Sequence, residues 1–209
     1  MFLAIAVLCG LMHWPSLAEA ALITIEIEAL VDSVWDSGNH LEGKIEVGDI
    51  ITGTYTYDLS TPDSEPLPYA GIYEHHSAPT GISLSVAGFD FTTDPDNVAF
   101  VVAILNGYPP SGQDQVWMTS YNNLPLSNGV AVDIISWQLD DPRGTAIHST
   151  EVSTVPLVLD NWESFCGLRI HGERGGYIID ATVTRAIPEP VTVLFLGFGG
   201  LFLRKRWCT

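Results

Sequence analysis

The stretch LITIEIEAL, residues 22–30, constrains this chain more than any other. Ile23, Ile25, Ile27 and Ala29 alternate there with Thr24, Glu26 and Glu28. A period of two sends one set to one face and the other set to the opposite face, which is the pattern of a half-buried strand. The same signature returns in DIITGTYTYD, where Ile51, Tyr55 and Tyr57 share one side and threonines take the other. In GISLSVAGFDF, Ile82, Leu84 and Val86 lead to an Ala87-Gly88 turn and then to Phe89 and Phe91, which reads as a hairpin. NVAFVVAILNG is a continuous apolar run bounded by turn residues, so it reads as a strand buried on both faces. QVWMTSY, VAVDIISWQL, CGLRIHG and GYIIDATVT are further β-like runs.

Between these runs lie STPDSEPLP, TDPDN, YPPSGQD, LSNG, DDPRG and GERGG. Gly, Pro, Asn and Asp supply the backbone conformations of turns and interrupt helices, and they recur too often here for a long helix. Short strands at short spacing, with no internal repeat, predict an all-β chain: a single antiparallel β-sandwich or jelly-roll-like domain over residues 21–186.

The two ends read differently. Residues 2–12 form an apolar run followed by Ala18-Glu19-Ala20, a small-residue pattern that signal peptidase accepts, so residues 1–20 read as a signal peptide cleaved after Ala20. No Lys or Arg precedes the run, a departure from the usual leader. Cys9 follows the bulky Leu8, which argues against lipid attachment. At the other end, residues 191–203 are apolar except for Thr192 and stop at Arg204, Lys205 and Arg206. As a helix this run is roughly 20 Å long, short of the ~30 Å hydrocarbon core, and the cations after it would lie on the cytoplasmic side.

Charge narrows the partners. Setting aside Glu19 and Glu189, the body carries 23 of the 25 Asp and Glu against Lys44, Arg143, Arg169, Arg174 and Arg185. Such a surface repels nucleic acid and anionic lipid and attracts divalent cations. Of the three cysteines only Cys166 lies in the body, so no disulfide within it is expected and the thiol reads as a small buried apolar group.

The order Pro188-Glu189-Pro190, apolar helix, basic cluster at the extreme C-terminus resembles the PEP-CTERM sorting signal of Gram-negative bacteria. Residues 187–209 carry the likeness, and Trp207-Cys208-Thr209 beyond the cations is a small departure. The stretch GDIITGTYTYDLSTPDSEPLPYAGIYEHHSAPTGISLSVAGFDFTTD resembles, more loosely, a β-rich body recurrent in such proteins, with its Tyr-x-Tyr-Asp strand end and Pro-Asp-Ser turn. The resemblance implies export by signal peptidase, a transient hold in the inner membrane and processing near Pro-Glu-Pro by an exosortase. It also implies a final place at the cell surface or in an extracellular matrix, linked to exopolysaccharide or biofilm.

Several residues of the body carry candidate chemistry. Glu26 and Glu28, two apart on one strand face, would sit about 7 Å apart, within reach of an inverting glycosidase pair, but alternation also makes theirs the solvated face. His75 and His76 point to opposite faces if they lie in a strand and lack a third ligand if they lie in a loop. Asp94, Asp96 and Asn97 in TDPDN, and Asp140 and Asp141 in LDDPRG, offer oxygens for calcium, though Asp and Asn build such turns without an ion. Trp35, Trp117, Trp137 and Trp162 are core side chains or sugar-stacking platforms, and alternation alone does not say which side of QVWMTSY is inward. No Gly-x-Ser-x-Gly elbow is present. The leading expectation is an exported structural or binding protein with no cofactor and no catalytic residue. A secreted carbohydrate-active enzyme and a calcium-dependent carbohydrate-binding module are the rivals.

Overall fold

The computed structural model describes residues 22–65, 67–152, 158–162 and 165–188. The alternating runs become ten strands: β1 (Leu22–Asp36), β2 (Ile50–Asp58), β3 (Ala70–His75), β4 (Gly81–Val86), β5 (Phe89–Thr92), β6 (Phe100–Tyr108), β7 (Gln113–Ser120), β8 (Val132–Asp141), β9 (Phe165–Gly172) and β10 (Tyr177–Pro188). Among the described residues the helical content is two short 3-10 turns, Leu159–Asn161 and Glu173–Gly175. The protein is all-β.

The strands form one antiparallel sheet in the order β3-β6-β7-β8-β9-β10-β1-β2-β4-β5. A sandwich would divide them into two sheets. Here a single sheet curls over, and non-adjacent strands meet through their inner side chains. Tyr55 of β2 lies 5.2 Å from Trp137 of β8 and 6.5 Å from Phe100 of β6, ring centre to ring centre, and Phe91 of β5 lies 6.4 Å from Tyr177 of β10. The long central strands let the sheet turn without breaking. β1 stays registered with β10 from Ile25 to Asp36, and bulges between Glu28 and Ala29 and between Val31 and Ser33 add the local twist that bends the pair. β1 also pairs with β2 through Leu22 to Leu30.

The core follows from the alternation. Ile23, Ile25, Ile27, Ala29 and Val31 of β1 are buried, as are Ile51, Tyr55 and Tyr57 of β2 and Ile82, Leu84 and Val86 of β4. They join the inner residues of β6 to β10 in one cluster, and each fully buried large side chain contributes on the order of 1.5–3 kcal/mol. The Ala87-Gly88 turn is a two-residue hairpin, both residues at positive φ (50° and 85°), with Val86 registered on Phe89. That backbone matches the twist of paired strands.

Two strand readings change. AGIYEH, too short and too polar to stand out, is strand β3, held to β6 over six registered pairs with Tyr73 and His75 inward. The apolar run of β6 is not buried on both faces. Phe100, Val102 and Ile104 are buried while Val101 and Ala103 are partly exposed, because the described residues form no second layer over that side. Among the described residues no helix is long and apolar enough to cross a membrane. The expected signal peptide (residues 1–20) and the expected transmembrane helix (191–203) lie outside the described residues.

Candidate functional site

On β6, β7 and β8 the same alternation that fills the core sends a second set of side chains outward. Ala103, Trp117 and Gln138 stand in one cross-strand row, and Val101, Thr119 and Ser136 in the next. With Tyr121 and Ile134 they line a shallow depression of about 300 Å³ on the outer face. Sequence alone left the inward side of QVWMTSY open. Val116 and Met118 face the core, and Trp117 faces out. The ring of Tyr121, just past the end of β7, is 52% exposed.

Hydrogen bonds fix the polar part of this face. The Gln138 side-chain amide donates to both carboxylate oxygens of Asp140, at 3.0 and 2.9 Å, and the Gln115 amide donates to one of them at 3.0 Å. Thr119 and Ser136 share a hydroxyl contact of 2.9 Å across β7 and β8. The buried Trp117 indole N–H has no acceptor among the described residues. None of the eight lining residues carries a charge at neutral pH, in a chain of net charge −17.

The other tryptophans separate by face. Trp137 and Trp162 are buried core residues, and Trp35 is 52% exposed near the end of β1. Glu26 and Glu28 lie on the outer side of β1 as their spacing implied, beside Thr52, Thr54 and Arg185 in a second shallow depression. Arg185 reaches Glu28 at 2.7 Å, so one member of the proposed carboxylate pair is ion-paired across strands.

His75 and His76 do point apart. His75 is buried, stacked on Phe100 with ring centres 5.5 Å apart, and its Nδ1 meets the Thr61 hydroxyl at 2.9 Å. Burial lowers its pKa against the opposing pull of Asp58, with nearby His76 lowering it further. His76 lies at the surface, 3.6 Å from Glu74.

The calcium candidates are turn-builders. Asp94 accepts the Asp96 amide on its side chain at 3.0 Å and the Asn97 amide on its backbone carbonyl at 3.2 Å, which builds a local turn. Asp141 is fully buried. One of its oxygens accepts the Arg143 amide at 3.0 Å, and the other accepts the amide and hydroxyl of Thr145 at 2.8 and 3.0 Å. Burial alone would raise its pKa, but these donors, with Arg143 nearby, outweigh that and leave it lowered. Directly across the ladder from Asp141 stands Asp114, also fully buried, whose oxygens accept the amides of Gly107 at 2.8 Å and Ile147 at 3.0 Å. Among the described residues no group of three His, Cys, Asp or Glu is placed to hold a metal ion. Cys166 is a free, half-buried thiol whose pKa burial pushes up to about 11.

No family model, curated protein or solved structure matches this chain. The likeness of its C-terminus therefore rests on the order of the motif itself. Of the residues in that motif, the backbone of Pro188 ends β10, while Glu189, Pro190, Arg204, Lys205 and Arg206 lie outside the described residues, as do Ala18 and Ala20 of the leader.

Proposed function

We propose that the chain is an exported, non-enzymatic structural or binding protein, sorted through a C-terminal PEP-CTERM signal and placed at the cell surface or in an exopolysaccharide matrix. The observation that carries this reading is the sequence order Pro188-Glu189-Pro190, apolar residues 191–203, then Arg204, Lys205 and Arg206, with an apolar leader ending at Ala20. An exosortase and signal peptidase are the processing partners in this reading, and the inner membrane holds the chain only until its tail is cut. Anionic nucleic acid is not a partner, and neither calcium nor another cofactor is required. The body in this reading is the single curled antiparallel sheet, whose halves face each other through Tyr55 and Trp137.

Chain geometry supports it. Pro188 pairs with Ile25, three residues into β1, and the two strands run antiparallel. At about 3.4 Å per residue the first and last described residues lie within roughly 10 Å of each other along the sheet. Leader and tail thus join the body at one end of the β1 and β10 pair. Past Thr182, β10 pairs among the described residues with β1 alone, and a proline is tolerated at the end of such a one-sided strand.

Intact-mass analysis of the protein from its native host tests the reading. The expected product begins at Ala21 and lacks the residues beyond Pro-Glu-Pro. A mature product that still ends in Thr209 refutes it. Glu26→Gln and Glu28→Gln address the enzymatic rival, since glycan turnover that either change abolishes would replace the structural reading.

A further inference from the structure

We infer that the outer face of β6, β7 and β8 is a binding site for a neutral glycan, with Trp117 as the stacking platform. The inference rests on the reading of the body as a binding protein but not on the sorting signal, so each can fail without the other.

Four observations lead to it. First, Trp117 is the largest side chain of the depression and lies outside the core, partly exposed on a sheet face that no second layer of the described residues covers. The face of an indole carries partial negative charge, and the axial C–H groups of a pyranose carry the opposite sign on an apolar surface. Second, Gln138 and Ser136 flank the ring in register, with the buried Thr119 hydroxyl held against that of Ser136, so an amide and a hydroxyl stand beside the one apolar platform. That combination of a flat apolar surface with amide and hydroxyl partners matches a sugar ring edged by hydroxyls. Third, the depression of about 300 Å³ falls at the lower end of small-ligand sites, which suits one or two sugar rings of a longer chain crossing the strands.

The fourth observation is charge. The eight lining residues are uncharged, and the charges that border them are mainly acidic: Glu74, paired with Val101 across the ladder, and Asp140 at the end of β8, while Arg169, across from Ser136 on β9, is ion-paired with Asp180. This border on a chain of net charge −17 repels uronic-acid polymers, anionic lipid and a second copy of the chain alike. A basic protein would be drawn to the carboxylate-bearing surfaces elsewhere and finds no opposite charge in this lining. An uncharged, hydroxyl-rich partner with apolar ring faces is the one chemistry the whole face accepts.

Affinity electrophoresis of the full chain in mild detergent tests this, with hydroxyethylcellulose, galactomannan, xylan and polygalacturonate each cast in the gel. At least one of the three neutral polymers should retard the protein, and polygalacturonate should not. Trp117→Ala should reduce the retardation at least tenfold, Gln138→Ala several-fold, while Trp35→Ala, an exposed tryptophan elsewhere, should leave it unchanged. Thermal melts of each variant establish that it is folded, and if Trp117→Ala is not, Gln138→Ala and Tyr121→Ala decide. The site is overturned if no neutral polymer retards the protein, if the variants bind as the parent does, or if Trp35→Ala weakens binding as much as Trp117→Ala. Sedimentation showing self-association that Trp117→Ala abolishes would overturn it too, by assigning the face to a second copy.

Discussion

The outer faces of the two halves of the sheet are made by the same alternation and carry opposite chemistry. On β1, β2 and β4 the outward positions include Thr24, Glu26, Glu28, Thr52, Thr54, Thr56, Ser83 and Ser85, a surface of hydroxyls and displayed carboxylates with the apolar Leu22, Leu30 and Ile50 at its ends. On β6, β7 and β8 they are Val101, Ala103, Trp117, Thr119, Ile134, Ser136 and Gln138. Beneath both lies one continuous core. The handling of acid differs as well. Glu26 and Glu28 stand at the surface, whereas the carboxylates at the far end of β7 and β8, Asp114 and Asp141, are taken inside and spent on backbone amides. Inward positions are dictated by the need to fill a core and say little about function. Outward positions are free to vary, so a departure from hydroxyl and charge at the middle of a face, as at Trp117, is where a ligand is best sought.

The sharpest test of that division uses two neighbours on one strand. Trp137 points into the core against Tyr55, and Gln138 points out beside Trp117. Trp137→Ala should destabilise the protein by about 3–5 kcal/mol, the usual range for removing a buried large aromatic. Gln138→Ala should change stability by no more than about 0.5 kcal/mol, as expected for a surface position. Urea unfolding followed by circular dichroism measures both. Comparable losses at the two positions would mean that the outer face is structural after all, and the contrast between the faces would collapse.

A middle-sized effect is expected at Asp141. Its carboxylate satisfies two backbone amides and a hydroxyl in a buried turn, so Asp141→Ala leaves those donors unpaired at a cost of about 2 kcal/mol. The pH dependence follows from the lowered pKa. Above the unfolded value near 4 the carboxylate is charged in both states and the contribution is complete. As pH falls below that value the unfolded chain takes up a proton before the folded one does, and the contribution is lost through the lower, folded pKa. Asp36, whose pKa falls for a similar reason, should act in the same window. Burial pulls it upward, and the amides of Leu41, His40 and Gly38, with the nearby His40 ring, outweigh that pull. Unfolding midpoints between pH 2 and 6 should therefore show a shallower acid slope in Asp141→Ala than in the parent. An unchanged slope would remove the internal role given to this carboxylate.

The strands with strict alternation, β1, β2, β4 and β5, were legible because each buries one face only, and their inner residues are those the pattern names. β3 was not, since six residues ending in Glu74 and His75 carry too little apolar signal, and the strand is held by pairing with β6 over its whole length. The run of β6 misled in the other direction. Val101 and Ala103 are apolar because they floor an exposed depression, and an apolar outer face looks in sequence like a second buried one. Trp117 was recognised as a candidate, but its side was not, because Val116, Trp117 and Met118 are all apolar and only the facing strands decide between them. Asp114 gave no signal at all. A buried carboxylate that receives amides from distant loops, here Gly107 and Ile147, is indistinguishable in sequence from one solvated in a turn.

The smallest effect belongs to the β1, β2 and β4 face and completes the comparison. Arg185 of β10 reaches Glu28 of β1 at 2.7 Å, with both side chains near half-exposed. Water and salt screen such a pair, and ordering two long side chains offsets much of its attraction, so Arg185→Ala should cost between 0 and about 1 kcal/mol. Added salt should shrink even that. The change does, however, release Glu28 beside Glu26 in an acidic depression, and like charges on one strand face repel. If the face serves only as a solvated surface, Arg185→Ala will leave the unfolding midpoint almost unmoved and will bring no glycan turnover. A loss of several kcal/mol would mean instead that this face carries a structural network comparable to the buried one around Asp141, and that displayed and internal carboxylates do not divide between the two halves as their placement indicates.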